Sequence, residues 1–269
     1  MAAKSKTATV APLWHSLGLL LLLLSISLGF YKAQSASPSE HSLGEPTGGN
    51  AALYLAIIAS EWGLWFYIWL GGRCNGAVPV RDLIGGRWSN VKSVLLDIAV
   101  AAGFWLVWSA VAIAVASLTG PSQAEPASFL NPKGPFEVVL WVIMSMTAGF
   151  CEELVYRGYL QKQILALSGS PTLAITVQAI IFGAGHWYQG SKKVIIIAIL
   201  GALFGLLANL RKSLRPGMLS HAWEDVLNVI PIHFPLTWVV SGLAMLSKTR
   251  IGTPLLDALR GASNLLPSA

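Results

Sequence analysis

The chain has 269 residues, of which 54% are hydrophobic and 11% charged, where a soluble domain carries about 25% charged residues. That balance excludes an ordinary soluble globule, and apolar runs that are continuous rather than alternating exclude a transmembrane barrel. The net charge of +6 does not mark a nucleic-acid partner, because the Lys and Arg residues are scattered over several loops with no single basic face.

In chain order, apolar runs near 12–31, 51–71, 93–118, 136–158, 171–187, 194–210, 214–231 and 235–247 approach or reach the roughly 18–20 residues of a membrane-crossing helix. The last is the shortest. The fold class read from them is all-α, a polytopic transmembrane helix bundle of about eight spans. Lys4 and Lys6 before LGLLLLLLSISLGF and AQSAS compose a rival secretory signal with a small-residue cleavage site. Leu13 to Tyr31 is long enough to span, and is read as an uncleaved anchor. The segment RDLIGGRWSNVKS at 81–93, with Trp88 inside it and Asp97 just beyond, reads as an amphipathic connection lying on headgroups, and the tail TPLLDALRGASNLL reads similarly. Residues 1–135 are thus N-terminal spans, 136–247 a core and 248–269 a tail, all of one bundle.

Charge gives the sidedness. With the amino terminus inside, thirteen Lys and Arg residues fall on the cytoplasmic side and Lys32, Lys133, Lys192 and Lys193 outside. Arg157 lies within a span. This follows the positive-inside rule, and eight crossings return the carboxyl terminus to the inside. The chain reads as an integral, multi-pass protein of the cell (inner or plasma) membrane, with lipid as its first partner. Cys74 and Cys151 lie in different segments and suggest neither a disulfide framework nor a metal cluster.

Ionisable residues inside a span cost at least roughly 2.5–3.5 kcal/mol each at the helix centre, so they pair, line a cavity or do chemistry. Glu61, Asp97, Glu152, Glu153, Arg157, His186, His221, Glu224, Asp225 and His233 all fall in the apolar runs, mostly in the second half of the chain. In GFCEELVYRGYL, Glu153 and Arg157 are four apart and share a helical face, a favourable ion-pair geometry. Glu152 points about 100° away from Glu153, has no local cation and is the catalytic candidate of the two. The competing reading places these charges at a helix end on the membrane surface.

His186 closes the apolar run before WYQG. Glu152 and His186 each lie 17 residues from Gly169 in the turn signal SGSP. On antiparallel helices they therefore stand at one height, roughly 25 Å from that turn, and can face each other. His221 and Asp225 in HAWEDVLN share another face, but straight helices would hold His221 about a membrane thickness from His186. Spacing alone does not join them. Cys151 reads as packing, since a thiolate would need an adjacent base or cation. Glu61 either pairs with Arg157 or lines a chamber.

The ordered set Glu152-Glu153-x-x-x-Arg157, Phe182-x-x-x-His186 and His221-x-x-x-Asp225, with the glycine-rich GALFGLLANL between the last two, resembles the CPBP family of intramembrane proteases. That family includes the Ras-converting CAAX endopeptidases and bacterial relatives. The resemblance covers about residues 136–235 and implies a helical bundle around a water-filled chamber. It implies hydrolysis of a membrane-associated, lipidated or membrane-anchored peptide or protein by a water that Glu152 activates with His186. His221 and Asp225 would stabilise the oxyanion, while Glu153 and Arg157 would hold the helix. The family commonly has asparagine at the position of Asp225. An ionised Asp225 cannot donate to an oxyanion, so it would be protonated or would orient His221. Glu224 alongside adds negative charge that favours a protonated His221.

The family has been described both as metalloproteases and as glutamate proteases. No His-Glu-x-x-His is present to put two ligands on one helix face, so no cofactor is required on the preferred reading. Zinc held by Glu152, His186 and His221 is the alternative. Two rival functions remain: a proton-coupled transporter with an intramembrane ion path, against which no inverted repeat of spans is seen, and a non-catalytic membrane partner or immunity-type protein on the same fold.

Overall fold

A computed structural model describes residues 9–36, 50–74, 79–119 and 130–227. Among these the fold is helical throughout, in the order α1 (Leu13–Ala36), α2 (Ala51–Cys74), α3 (Val80–Ile84), α4 (Val91–Thr119), α5 (Pro135–Glu152), α6 (Gln161–Ser168), α7 (Pro171–Gly185), α8 (Ser191–Arg211) and α9 (Arg215–Leu227). A π-helical stretch, Glu153–Leu160, joins α5 to α6 without a break.

Five of these helical runs are long and apolar enough to cross a membrane: α1, α2, α4, the continuous rod 135–168, and α8. The eight spans expected from sequence are not all of that kind. At 15 residues, α7 extends about 23 Å, short of the roughly 30 Å hydrocarbon core. The described part of α9 has 13 residues, and 235–247 lies outside the described residues. Short helices are tolerated at membrane depth where protein surrounds them, and α7 and α9 pack against α8 and α5.

Outward faces are apolar, with Leu21, Leu24, Leu95, Val107, Ile180 and Ile195 all exposed. Polar groups such as Ser145, Glu153, Arg157 and Gln178 are buried inside. This inversion suits a lipid solvent, where polar side chains must find partners within the protein. The rod does not end near 158 as expected, because its polar residues are answered by neighbours. Gln161 donates to Gly205 O at 3.0 Å, Gln163 to Ala11 O at 2.7 Å, and Lys162 to the carbonyls of Asp82 and Leu83 at 2.9 Å each.

The turn after the rod has the predicted chemistry. Gly169 takes φ +69 as the helix cap, Ser170 accepts from Leu173 N, and Pro171 opens α7. Segment 81–93 is corrected in part: Leu83 is buried, Leu214 N donates to Ile84 O at 2.8 Å, and Arg215 donates to Gly85 O at 2.8 Å. Its first half is thus docked on protein. Trp88 donates to Asp97 at 2.8 Å, and Arg211 pairs with Asp97 at 3.0 Å, so Asp97 belongs to a structural network. The tail after 248 lies outside the described residues.

Close helix packing sets the site's depth. Gly201 and Gly205 lie one turn apart on α8, and a Cβ at either would collide with Phe182, Gln178 or Gln161. Their carbonyls accept from Arg157, Gln178 and Gln161. At Gly149 a Cβ would meet Ala222 N at 2.7 Å and Met218 O at 2.9 Å, so α9 lies directly on α5.

Candidate active site

The π-helical stretch begins at Glu153, immediately after Glu152, and its wider turn is closed by Gln161 N–H bonding to Tyr156 O five residues back. Such insertions occur often at functional sites. Here the stretch puts the two adjacent glutamates into different surroundings.

Glu153 is fully buried and accepts from Arg157 Nη1 at 2.9 Å. The guanidinium also donates to Gly201 O at 3.1 Å and lies over the Phe182 and Phe204 rings at 4.4 and 5.1 Å. A buried ion pair is tolerated only with such extra contacts, and the arrangement overturns the reading of these charges as a helix end at the membrane surface. It also excludes Arg157 as the ion-pair partner of Glu61.

Glu152 instead faces a cavity of about 50 Å³ that it lines with Glu61, Tyr156, His186 and Tyr188, room enough for a water molecule. Its Oε2 is buried with no hydrogen-bond partner. The matched heights of Glu152 and His186 therefore do bring both to one chamber. His186 Nδ1 lies 2.8 Å from Phe182 O. A carbonyl only accepts, so Nδ1 carries the proton, and Nε2 of the neutral ring is left with its lone pair.

His221 joins the carboxylates rather than His186. Its Nδ1 is 3.2 Å from Glu153 Oε1, and its Nε2 is 3.7 Å from both Glu152 Oε2 and Asp225 Oδ2. The ring stacks on Phe204 at 5.2 Å and meets Phe182 edge-on at 6.0 Å. Phe182 also meets His186 at 4.9 Å. Because both histidine rings contact the one Phe182 ring, the membrane-thickness separation expected from straight helices does not hold.

Asp225 is 31% exposed at its side chain, and its backbone carbonyl accepts from Trp141 at 2.9 Å, which ties α9 to α5. Glu224 turns away to accept from Trp108 Nε1 at 2.9 Å. Cys151 is buried, as its packing role requires.

Zinc is not well served. Among the described residues no group of three or more His, Cys, Asp and Glu side chains stands close enough to hold a metal ion. The Phe182 ring contacts both histidine rings. Glu152, His186 and His221 do not converge as a ligand set.

Sequence reasoning singled out Glu61 without placing it. It missed the cavity walls supplied by Tyr188 and by Ser27 and Phe30 of α1. A serine in an apolar span was the available signal for the α1 wall, and Tyr188 follows His186 by two residues. Residues 134–227 match the family model described as Rce1-like: Type II CAAX prenyl endopeptidase Rce1-like. No curated protein matches the chain.

Proposed function

We propose that this chain, whose residues 134–227 match the Rce1-like family model, is a CAAX-type protease and a multi-pass intramembrane endopeptidase. Its amino terminus is inside, and it hydrolyses membrane-anchored peptides without a metal. The observation that carries the reading is Glu152 Oε2, buried and without a hydrogen bond, in a water-sized cavity shared with His186.

Glu152 takes a proton from a water in the cavity while that water's oxygen bonds to the scissile carbonyl carbon. The proton then passes to the leaving amine as the C–N bond breaks. His186, with Nδ1–H held by Phe182 O, offers Nε2 as acceptor to the same water. His221 Nε2 lies where a proton donor could meet the oxyanion, beside Glu152. Since Nδ1–H is committed to Glu153, that donation requires the imidazolium form. Asp225 faces the same Nε2 and supports its orientation. Glu153 and Arg157 hold the rod beneath Glu152. The family's description makes a prenylated C-terminal peptide the first substrate class to try.

The test is cleavage of quenched fluorescent peptides, prenylated and unprenylated, by the purified detergent-solubilised protein with and without a zinc chelator. Cleavage by wild type that survives chelation and is lost in Glu152→Gln and His186→Ala is the expected result. Cleavage unchanged by either substitution refutes the mechanism, and activity lost in chelator and restored by zinc refutes its metal-free form.

A further inference from the structure

The match to the protease family begins at residue 134, yet the cavity is completed by a carboxylate from outside it. Glu61 of α2 is 8% exposed, and its Oε2 has no hydrogen-bond partner. It lines the cavity with Glu152, whose own buried Oε2 likewise makes no hydrogen bond, so two carboxyls face one water-sized space.

The register is built rather than incidental. Asn50 N donates to Glu137 Oε1 at 2.6 Å, Asn50 Nδ2 to Asn131 O at 2.9 Å, and Tyr54 OH to Leu130 O at 2.6 Å. These bonds pin the start of α2 to the start of α5, so the two helices run in the same direction. Glu61 then stands about 17 Å and Glu152 about 23 Å from that common end, a difference two glutamate side chains can span.

We propose that Glu61 is a positioning residue for the hydrolytic reaction, forming with Glu152 a carboxyl pair bridged by one proton. The inference rests on the protease reading above. Two carboxyls share a hydrogen bond only if one carries a proton. Glu61 keeps that proton and donates it to one oxygen of Glu152, leaving the other oxygen to take the proton of the attacking water. That second proton goes on to the leaving amine, so Glu61 ends each cycle as it began. The titratable groups around the pair are Tyr156, His186 and Tyr188, which line the same cavity, and His221, whose Nε2 is 3.7 Å from both Glu152 and Asp225, while Arg157 is paired with Glu153 on the neighbouring face. Cys151 lies beside the pair on α5, and the α1 wall contributes only neutral side chains.

The experiment uses the full chain in detergent and compares wild type with Glu61→Gln and Glu61→Asp by pH–rate profile, kcat and KM on a cleaved peptide. It also records the infrared carbonyl stretch of a protonated carboxyl in the resting enzyme. Glu61→Gln keeps a donor but no titratable proton. It is expected to lower kcat about 100-fold through misplacement of Glu152, to leave KM unchanged, and to abolish the alkaline limb of the profile. Glu61→Asp restores that limb with part of the rate. The infrared band is expected to vanish in Glu61→Gln and to shift in Glu152→Gln, where Glu61 keeps its proton but loses its carboxylate acceptor. A wild-type profile in Glu61→Gln, or a band unchanged in both variants, overturns the proposal. If no peptide is cut by wild type, the band alone decides: its loss in Glu61→Gln with its shift in Glu152→Gln sustains the pair while the protease reading falls separately.

Discussion

Two polar clusters are buried in this bundle, and they are built on opposite principles. One joins α1 to α2 and the rod. His15 Nε2 faces Tyr67 O at 3.0 Å and so donates to it, which leaves Nδ1 to accept from Tyr159 OH at 2.9 Å. Tyr159 OH in turn accepts from Ser16 Oγ at 3.0 Å. Gln163 accepts from Val10 N and Ala11 N and returns a bond to Ala11 O. Every side-chain polar atom of this clasp that is shut off from solvent has a partner. The other cluster surrounds Glu152, where the buried Oε2 atoms of Glu61, Glu152 and Glu153 make no hydrogen bond. An unsatisfied buried polar atom costs about 1–3 kcal/mol, so a satisfied cluster fixes structure, while on the proposed mechanism the unsatisfied one beside the cavity receives water and substrate.

If the contrast is right, substitutions in the two clusters will separate activity from stability. The largest effect is expected for Glu152→Gln, which should lower kcat/KM by about 10⁴-fold while leaving thermal unfolding in detergent unchanged. A large loss of stability instead would move Glu152 into the structural class. Next, Arg157→Met takes the guanidinium from buried Glu153, leaving it only His221, and should destabilise the protein by about 3–5 kcal/mol. Adding Glu153→Gln should recover part of that loss in denaturant unfolding, and no recovery would mean the pair is not coupled.

In the clasp, His15→Ala should cost about 1–3 kcal/mol by unpairing Tyr159 OH and Tyr67 O. Its kcat per folded molecule should stay at the wild-type value, and a fall there would link the clasp to catalysis. Gly71→Ala should cost a comparable 1–3 kcal/mol by overpacking, because a Cβ there overlaps the His15 ring. The smallest effect sharpens the comparison most. In a His15→Ala background the Gly71→Ala step should fall below about 0.5 kcal/mol, and a full-sized cost would place the strain elsewhere.

The sequence by itself determined the helical class, the turn at Gly169–Pro171, the Glu153–Arg157 pair and the shared chamber of Glu152 and His186. Each of these depends on local chemistry or on counting residues along helices joined by a short turn, where 1.5 Å per residue is a dependable ruler. The family resemblance rested on the same local spacings. Tertiary structure decided what counting cannot reach. His221 meets the carboxylates because Gly149 admits α9 close to α5 and the Phe182 and Phe204 rings fill the space between helices. Glu61 reaches the cavity of Glu152 because polar contacts around Asn50 and Glu137 set the register of two helices more than sixty residues apart in the chain. The clasp was invisible for the same reason: His15, Tyr67 and Tyr159 share no local pattern, and only packing reveals that each satisfies the next. Non-local register arises from the fit of whole helix surfaces, and no short motif encodes it.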